Sequence, residues 1–121
     1  MSGLKFYRLH GVDKLLHATA DLLRLKGLAK GLRIDPATGA IDIIAALALC
    51  CGATETELVS SVSTVDFSVA AANEAKYFMA LDVLNACHPK FEDWADKSDV
   101  TLDDVTNFLT KSAERLERAI V

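Results

Sequence analysis

The chain has few of the residues that interrupt regular structure: only two prolines and six glycines occur in 121 residues. With 51% hydrophobic and 25% charged residues, this composition excludes a disordered, collagen-like or low-complexity chain. The length fits a single domain over residues 1–121, without an internal repeat or linker. A chain of this size buries about two-thirds of its unfolded surface, which is enough to fold without disulfides.

Long apolar runs are also absent. The longest one, residues 43–53, has eleven residues, whereas a membrane-spanning helix needs about 20. Residues 1–8 lack the apolar core of a secretory signal. These absences predict a cytoplasmic protein that does not enter a membrane.

Metal-binding and calcium-binding patterns are missing. Of three cysteines, Cys50 and Cys51 are adjacent and Cys87 precedes His88, so neither pair has the gap of roughly two to four residues typical of zinc ligands. The acidic run at 92–99 lacks the glycine and the alternating oxygens of a calcium loop. We therefore expect free thiols, and no metal or cofactor.

Catalytic motifs are missing too: the chain has no G-x-S-x-G, no P-loop and no G-x-G-x-x-G. The glycines at 27 and 31 follow a predicted helix, whereas a phosphate-binding loop precedes one. His10, His17 and His88 are widely separated, and His17 is expected to be a hydrogen-bonded structural histidine. The sequence favours a non-enzymatic protein and indicates no catalytic residue.

Helical periodicity is what the sequence has in abundance, and it predicts a mainly α bundle of five to six helices. The predicted helices cover residues 12–26, 43–51, 55–63, 69–87 and 102–120, with one or two turns around Phe91 and Trp94. Asp42, Thr54 and Thr101 are expected N-caps. The Asp-Pro-Ala-Thr-Gly segment predicts a small β-hairpin or a tight ordered loop at residues 32–42. The predicted buried faces include Leu25 in the first helix and Ala75 and Phe78 in the fourth.

The last predicted helix has the widest apolar face. Its stripe consists of Leu102, Val105, Phe108, Leu109, Leu116 and Ile120. The mean hydropathy of the chain is +0.24, which is high for a soluble protein. We therefore predict that this stripe is an interaction surface, through which the protein forms a homodimer or binds another protein.

Charge is distributed unevenly along the chain. Residues 1–33 carry seven basic and two acidic side chains, whereas residues 34–110 carry three basic and thirteen acidic ones. A predicted basic patch contains Lys14, Arg24, Lys26, Lys30 and Arg33. Such polarity can steer a partner, or the basic segment can fold back on the acidic remainder and cancel its field.

Several segments occur in an order that resembles a family of small helical domains from actinobacteria and their phages. They are GLAKG at 27–31, DPATG at 35–39, CGA at 51–53, Trp94 with Asp96, and Thr101 with Asp104 and Val105. The resemblance spans residues 12–116. This chain departs from the family pattern at Leu28, where an aromatic is expected, and at Ala95, where asparagine is expected. The resemblance implies a helical fold and an actinobacterial or phage setting. It implies no reaction, so no functional residue is carried over.

Three functions remain open at this point. The first is a non-enzymatic protein-interaction module, phage-encoded and acting on a host protein, that also self-associates. The second is a nucleic-acid-associated regulator that uses the basic N-terminal segment, which the net charge of −4 disfavours. The third is a small enzyme without a recognisable motif.

Overall fold

The computed structural model describes residue 7, residues 10–60 and residues 73–118. In this part of the chain there are six helices and no β-strand, which confirms the mainly α fold. The helices are α1 (Val12–Lys26), α2 (Ile43–Cys50), α3 (Glu55–Ser60), α4 (Glu74–Cys87), α5 (Phe91–Ala95) and α6 (Leu102–Arg118). The predicted end of the third helix at 63, the start of the fourth at 69 and residue Ile120 lie outside the described residues.

The three predicted N-caps are confirmed. The Asp42 side chain accepts a hydrogen bond of 2.7 Å from the Ala45 N–H at the start of α2. Thr54 Oγ1 accepts from the Glu57 N–H at 3.3 Å. At α6 the exchange is reciprocal: Thr101 Oγ1 accepts from the Asp104 N–H, and Asp104 Oδ2 accepts from the Thr101 N–H. Each cap satisfies a backbone donor that the first helical turn leaves without a partner.

The core is built around α2, whose residues 43–48 are all buried. Helix α1 packs against α2 on one side and against α6 on another. Large side chains from α4 and α5, Tyr77 and Phe91, are almost fully buried in the same cluster. The short α2 is therefore hydrophobic all round because it is surrounded, which accounts for the longest apolar run in the sequence.

Two predicted buried faces are partly wrong. Leu25, assigned to the apolar stripe of α1, is 80% exposed near the end of that helix. In α4 the buried face includes Tyr77 and Ala80, whereas Ala75 and Phe78 are exposed. Alanine and leucine occur on several sides of these helices, so the packing of α4 against α1 and α6 selects the buried side.

The segment between α1 and α2 is the tight ordered loop rather than a hairpin of regular strands. Gly27 ends α1 with φ 90°, a left-handed conformation that favours glycine. Ile41 forms isolated bridges with Leu28 and Ile34, and the turn closes through the Gly39 N–H donating to the Asp35 carbonyl at 2.8 Å. This loop carries the side chains of residues 30 and 33 towards α5.

No helix in the described ranges is long and apolar enough to cross a membrane.

Candidate functional site

The predicted interaction stripe of α6 lies mostly inside the protein. Three of its residues have no exposed surface: Val105, Leu109 and Leu116. This face of α6 packs against α1, so the prediction of a surface is wrong for these three. Leu102 and Phe108 are half-buried. An amphipathic helix shows the same periodicity whether its apolar side meets its own core or a partner.

Lys30, one of the five residues of the predicted basic patch, is exposed, but its ammonium binds the protein itself. Its Nζ donates to three carbonyl oxygens at the end of α5 and in the following loop: Ala95 at 2.6 Å, Lys97 at 2.7 Å and Val100 at 2.6 Å. The neighbouring Gly31 N–H donates to Asp96 Oδ1 at 3.1 Å. An ammonium at a helix C-terminus satisfies carbonyls that have no intrahelical donor.

Arg33 is the centre of a buried charge cluster. Its Nη1 donates to Asp42 Oδ2 at 2.6 Å, and its Nη2 lies 3.8 Å from Glu92 Oε2. The side chains of Arg33 and Asp42 are only 13% and 10% exposed. Arg33 Nε is buried without a hydrogen-bond partner. Because its other nitrogens hold the loop to α2 and α5, this arginine is unavailable to an external ligand.

Burial governs the titration of this cluster. It raises the pKa of Asp42 above its ordinary value, although the Ala45 N–H and Arg33 both lower it. Burial also raises the pKa of Glu92 and of the phenol of Tyr77. These groups are ordered by contacts with the protein itself, so the cluster is an element of the fold.

The other three residues of the predicted patch have separate surroundings. Lys14 and Arg24 are exposed on α1, where Arg24 pairs with Asp21 at 3.0 Å. Lys26 Nζ lies 3.7 Å from Glu55 Oε1 of α3. Arg24 and Lys26 are thus paired with acidic residues, as Arg33 is.

His17, Cys50 and Cys51 are also placed in structural positions. His17 Nε2 lies 3.3 Å from Glu117 Oε1 and links α1 to α6. The three thiols are free, as predicted. Burial raises the pKa of Cys50, and that of Cys51 to about 11, which keeps both thiols protonated near neutral pH. Among the described residues, no group of three or more His, Cys, Asp or Glu side chains is placed to hold a metal ion.

A groove follows the outer side of α6, and we call it the α6 groove. One part has a volume of about 280 Å³ and is lined by His88, Trp94, Asp104, Asn107, Phe108 and Lys111. The adjoining part, of about 320 Å³, is lined by Cys87, Phe108, Lys111, Ser112, Arg115 and Arg118. Phe108 and Lys111 line both parts, so the two adjoin each other along the helix.

The first part of the groove has an aromatic wall. The ring of Trp94 packs against Phe108 with centroids 5.4 Å apart and against His88 at 4.8 Å. Phe108 in turn contacts Phe91, which is buried, at 6.0 Å. The contact with a core side chain holds Phe108 in place, so the wall is formed before any ligand arrives.

The second part of the groove is cationic. Lys111, Arg115 and Arg118 are exposed, and within the described ranges no carboxylate lies within 4.0 Å of their charged groups. Arg115 Nη1 donates to Cys87 Sγ at 3.8 Å. Asp104 lies at the opposite end. The groove therefore runs from one carboxylate, past an aromatic centre, to three cations.

The sequence of this chain matches the family described as "Family of unknown function (DUF6197)" over residues 9–115. The chain belongs to this family. No curated protein and no solved structure matches this chain.

The region shared with DUF6197 covers most of the α6 groove. It extends from α1 into the last turn and a half of α6, and it includes both aromatic residues of the wall and the cations Lys111 and Arg115. Arg118 lies just beyond it. The groove is therefore formed mainly by the part of the chain that defines its membership of DUF6197.

Sequence reasoning missed the groove because its two sides come from different elements. Trp94 reaches α6 only after the chain has turned at Pro89, and His88 lies just before that turn. One indication was present: Asp104, Phe108, Lys111, Arg115 and Arg118 recur at intervals of four and three residues, which places them along one side of a helix. This stripe shares Phe108 with the predicted apolar stripe and otherwise lies beside it.

Proposed function

We propose that this member of DUF6197 is a non-enzymatic protein-interaction module that binds its partner in the α6 groove. The observation that carries the proposal is the juxtaposition of a preformed aromatic wall with three cations that no carboxylate of the described residues approaches within 4.0 Å. Aromatic and arginine side chains are the residues most enriched in the energetically important parts of protein interfaces.

The composition of the groove indicates the chemistry of the partner. Cations on a chain whose net charge is −4 attract a partner locally while the rest of the surface repels acidic proteins. A matching segment presents carboxylates to Lys111, Arg115 and Arg118 and one apolar side chain to Phe108. In an actinobacterial or phage setting, as the family resemblance implies, that segment belongs to a cytoplasmic host protein or to the chain itself.

The distribution of titratable groups supports binding rather than catalysis. Asp42 caps α2 and pairs with Arg33, and Cys51 has a raised pKa in the core. The nucleic-acid alternative relied on the N-terminal cations. Lys30 and Arg33 are held by carbonyls and carboxylates of the protein itself, which weakens that alternative.

Trp94 gives a direct readout of binding, since it is the single tryptophan of the chain and lines the groove. The experiment titrates the protein with a tryptophan-free helical peptide carrying glutamates and one leucine, and with the same peptide carrying lysines instead. We expect the acidic peptide to change Trp94 emission and the basic peptide to leave it unchanged.

The matched variants are Arg115→Glu, in the groove, and Lys14→Glu, on the exposed side of α1. Both make the same change in net charge. We expect Arg115→Glu to weaken acidic-peptide binding about tenfold or more and Lys14→Glu to weaken it less than about twofold. Equal binding of both peptides, or equal losses in both variants, would show that the groove is not the site. Tighter binding of a labelled single-stranded oligonucleotide would favour the nucleic-acid alternative.

A further inference from the structure

The α6 groove is electrostatically complementary to a second copy of itself. Asp104 lies near its N-terminal end and Arg115 near its C-terminal end, eleven residues apart on one side of α6. At 1.5 Å per residue this separation is about 16 Å along the helix. When two such helices lie antiparallel, the acidic end of each meets the basic end of the other.

We infer that the occupant of the α6 groove is α6 of a second copy, bound antiparallel across a two-fold axis. Asp104 of each protomer then pairs with Arg115 of its partner, and the two contacts are equivalent by symmetry. This inference rests on the proposed function, because it names the partner of the same groove.

The spacing of the groove residues fits two packed helices. Asp104, Phe108, Lys111, Arg115 and Arg118 are separated by four, three, four and three residues. This is the 3.5-residue repeat with which one side of a helix stays in contact with a neighbouring helix along its length. The stripe is therefore straight enough to meet its counterpart over four turns.

The charges distinguish between two antiparallel registers. With Asp104 opposite Arg115, Phe108 lies opposite Lys111, so each ring meets the cation of the other copy at both symmetric positions. With Asp104 opposite Arg118 instead, Lys111 would face its own copy on the axis, where the like charges repel. A parallel arrangement is worse because every cation of the stripe would face an identical one.

The expected association is weak and depends on salt. One helix side per protomer buries less than the roughly 800 Å² per partner of a stable complex, and exposed ion pairs are screened as ionic strength rises. A dissociation constant of about 10⁻⁵ to 10⁻⁴ M follows for such an interface. We expect sedimentation equilibrium of the full chain at low salt to show dimers at the upper end of that concentration range, and fewer dimers in about 0.5 M NaCl.

A charge swap tests the register. Asp104→Arg and Arg115→Asp each place like charges opposite each other at both symmetric contacts, and each is expected to weaken association about tenfold or more. Mixing the two variants restores both opposite-charge pairs, so the mixture should form heterodimers with an affinity within about threefold of the original chain. Lys14→Glu serves as the control and should leave association unchanged.

Asp104 also caps α6, so Asp104→Arg lowers stability as well as association. The mixing experiment separates the two effects. The Asp104→Arg protomer still lacks its cap in the mixture, and only the intermolecular ion pairs are restored. A monomer at all concentrations, or a mixture that stays monomeric while both variants are folded, would overturn the inference. If the acidic peptide still binds beside Trp94 in that case, the proposed function stands and its partner is another protein.

Discussion

Two sets of basic residues in this molecule have opposite roles. Lys30 and Arg33, in the loop before α2, direct their charges inward onto carbonyls and carboxylates of the chain. Lys111 and Arg115, on α6, direct theirs outward, where no described carboxylate lies within 4.0 Å. The sequence shows similar residues in both places, so the number of charges does not identify a binding surface. The two sets differ in whether the fold supplies the counter-charges.

The inward set is expected to control stability and the outward set to control association. A substitution at the first should lower the free energy of unfolding, and one at the second should leave it nearly unchanged. Variants at the most deeply buried contact, between Arg33 and Asp42, test this division first.

The largest effect is expected for Asp42→Ala. The change removes the cap of α2 and leaves Arg33 buried with only a longer contact to Glu92. Breaking a buried ion pair from one side costs about 3–5 kcal/mol, so we expect a loss of about 3 kcal/mol in the free energy of unfolding. Urea denaturation followed by circular dichroism measures it. A loss below about 1 kcal/mol would mean that water solvates the Arg33 guanidinium when the Asp42 carboxylate is absent.

A smaller effect is expected at Lys30, where Lys111 provides a matched comparison. Lys30→Met keeps an aliphatic stem but removes the donor to three carbonyls, and we expect a loss of about 1–2 kcal/mol. Lys111→Met removes an exposed ammonium and should change stability by less than about 0.5 kcal/mol. Thermal unfolding of the two variants under identical conditions makes the comparison. Equal losses would show that the inward and outward sets are not distinct.

The helical framework could be predicted because its determinants are local. Asp42, Thr54 and Thr101 cap helices through contacts within three residues, and the apolar repeat of α1 spans the helix that forms. The groove could not be predicted in the same way. It requires Trp94 and Phe108 to meet, and that contact depends on how α5 packs against α6.

The error about the α6 stripe has the same origin. An apolar repeat reveals that one side of a helix is buried but not whether the burial is internal. Val105 and Leu109 pack against α1, and only a three-dimensional arrangement shows this. The charges on the neighbouring side were visible in the sequence, but the absence of a described carboxylate within 4.0 Å of them was not.

The smallest predicted effect is the pH dependence of stability that arises from Asp42, the ion-pair partner of Arg33. Burial is the largest influence on Asp42, and it raises the pKa of that carboxyl above its ordinary value of 3.8. The folded protein therefore holds this proton more tightly than the unfolded chain does. The part of the stability that depends on this proton is complete below pH 3.8 and is lost as the pH rises through the folded-state pKa.

Asp42→Asn removes this titration while keeping an oxygen that can accept from the Ala45 N–H. We expect the variant to be less stable than the original chain, and the difference between them to grow as the pH falls from 7 to about 4. Urea denaturation of both proteins across this range measures the difference. If the difference shrinks on acidification, the attraction of Arg33 outweighs burial and favours the charged carboxylate. The inward cluster would then resemble an ordinary exposed ion pair, and the contrast with the cations of α6 would rest on Lys30 alone.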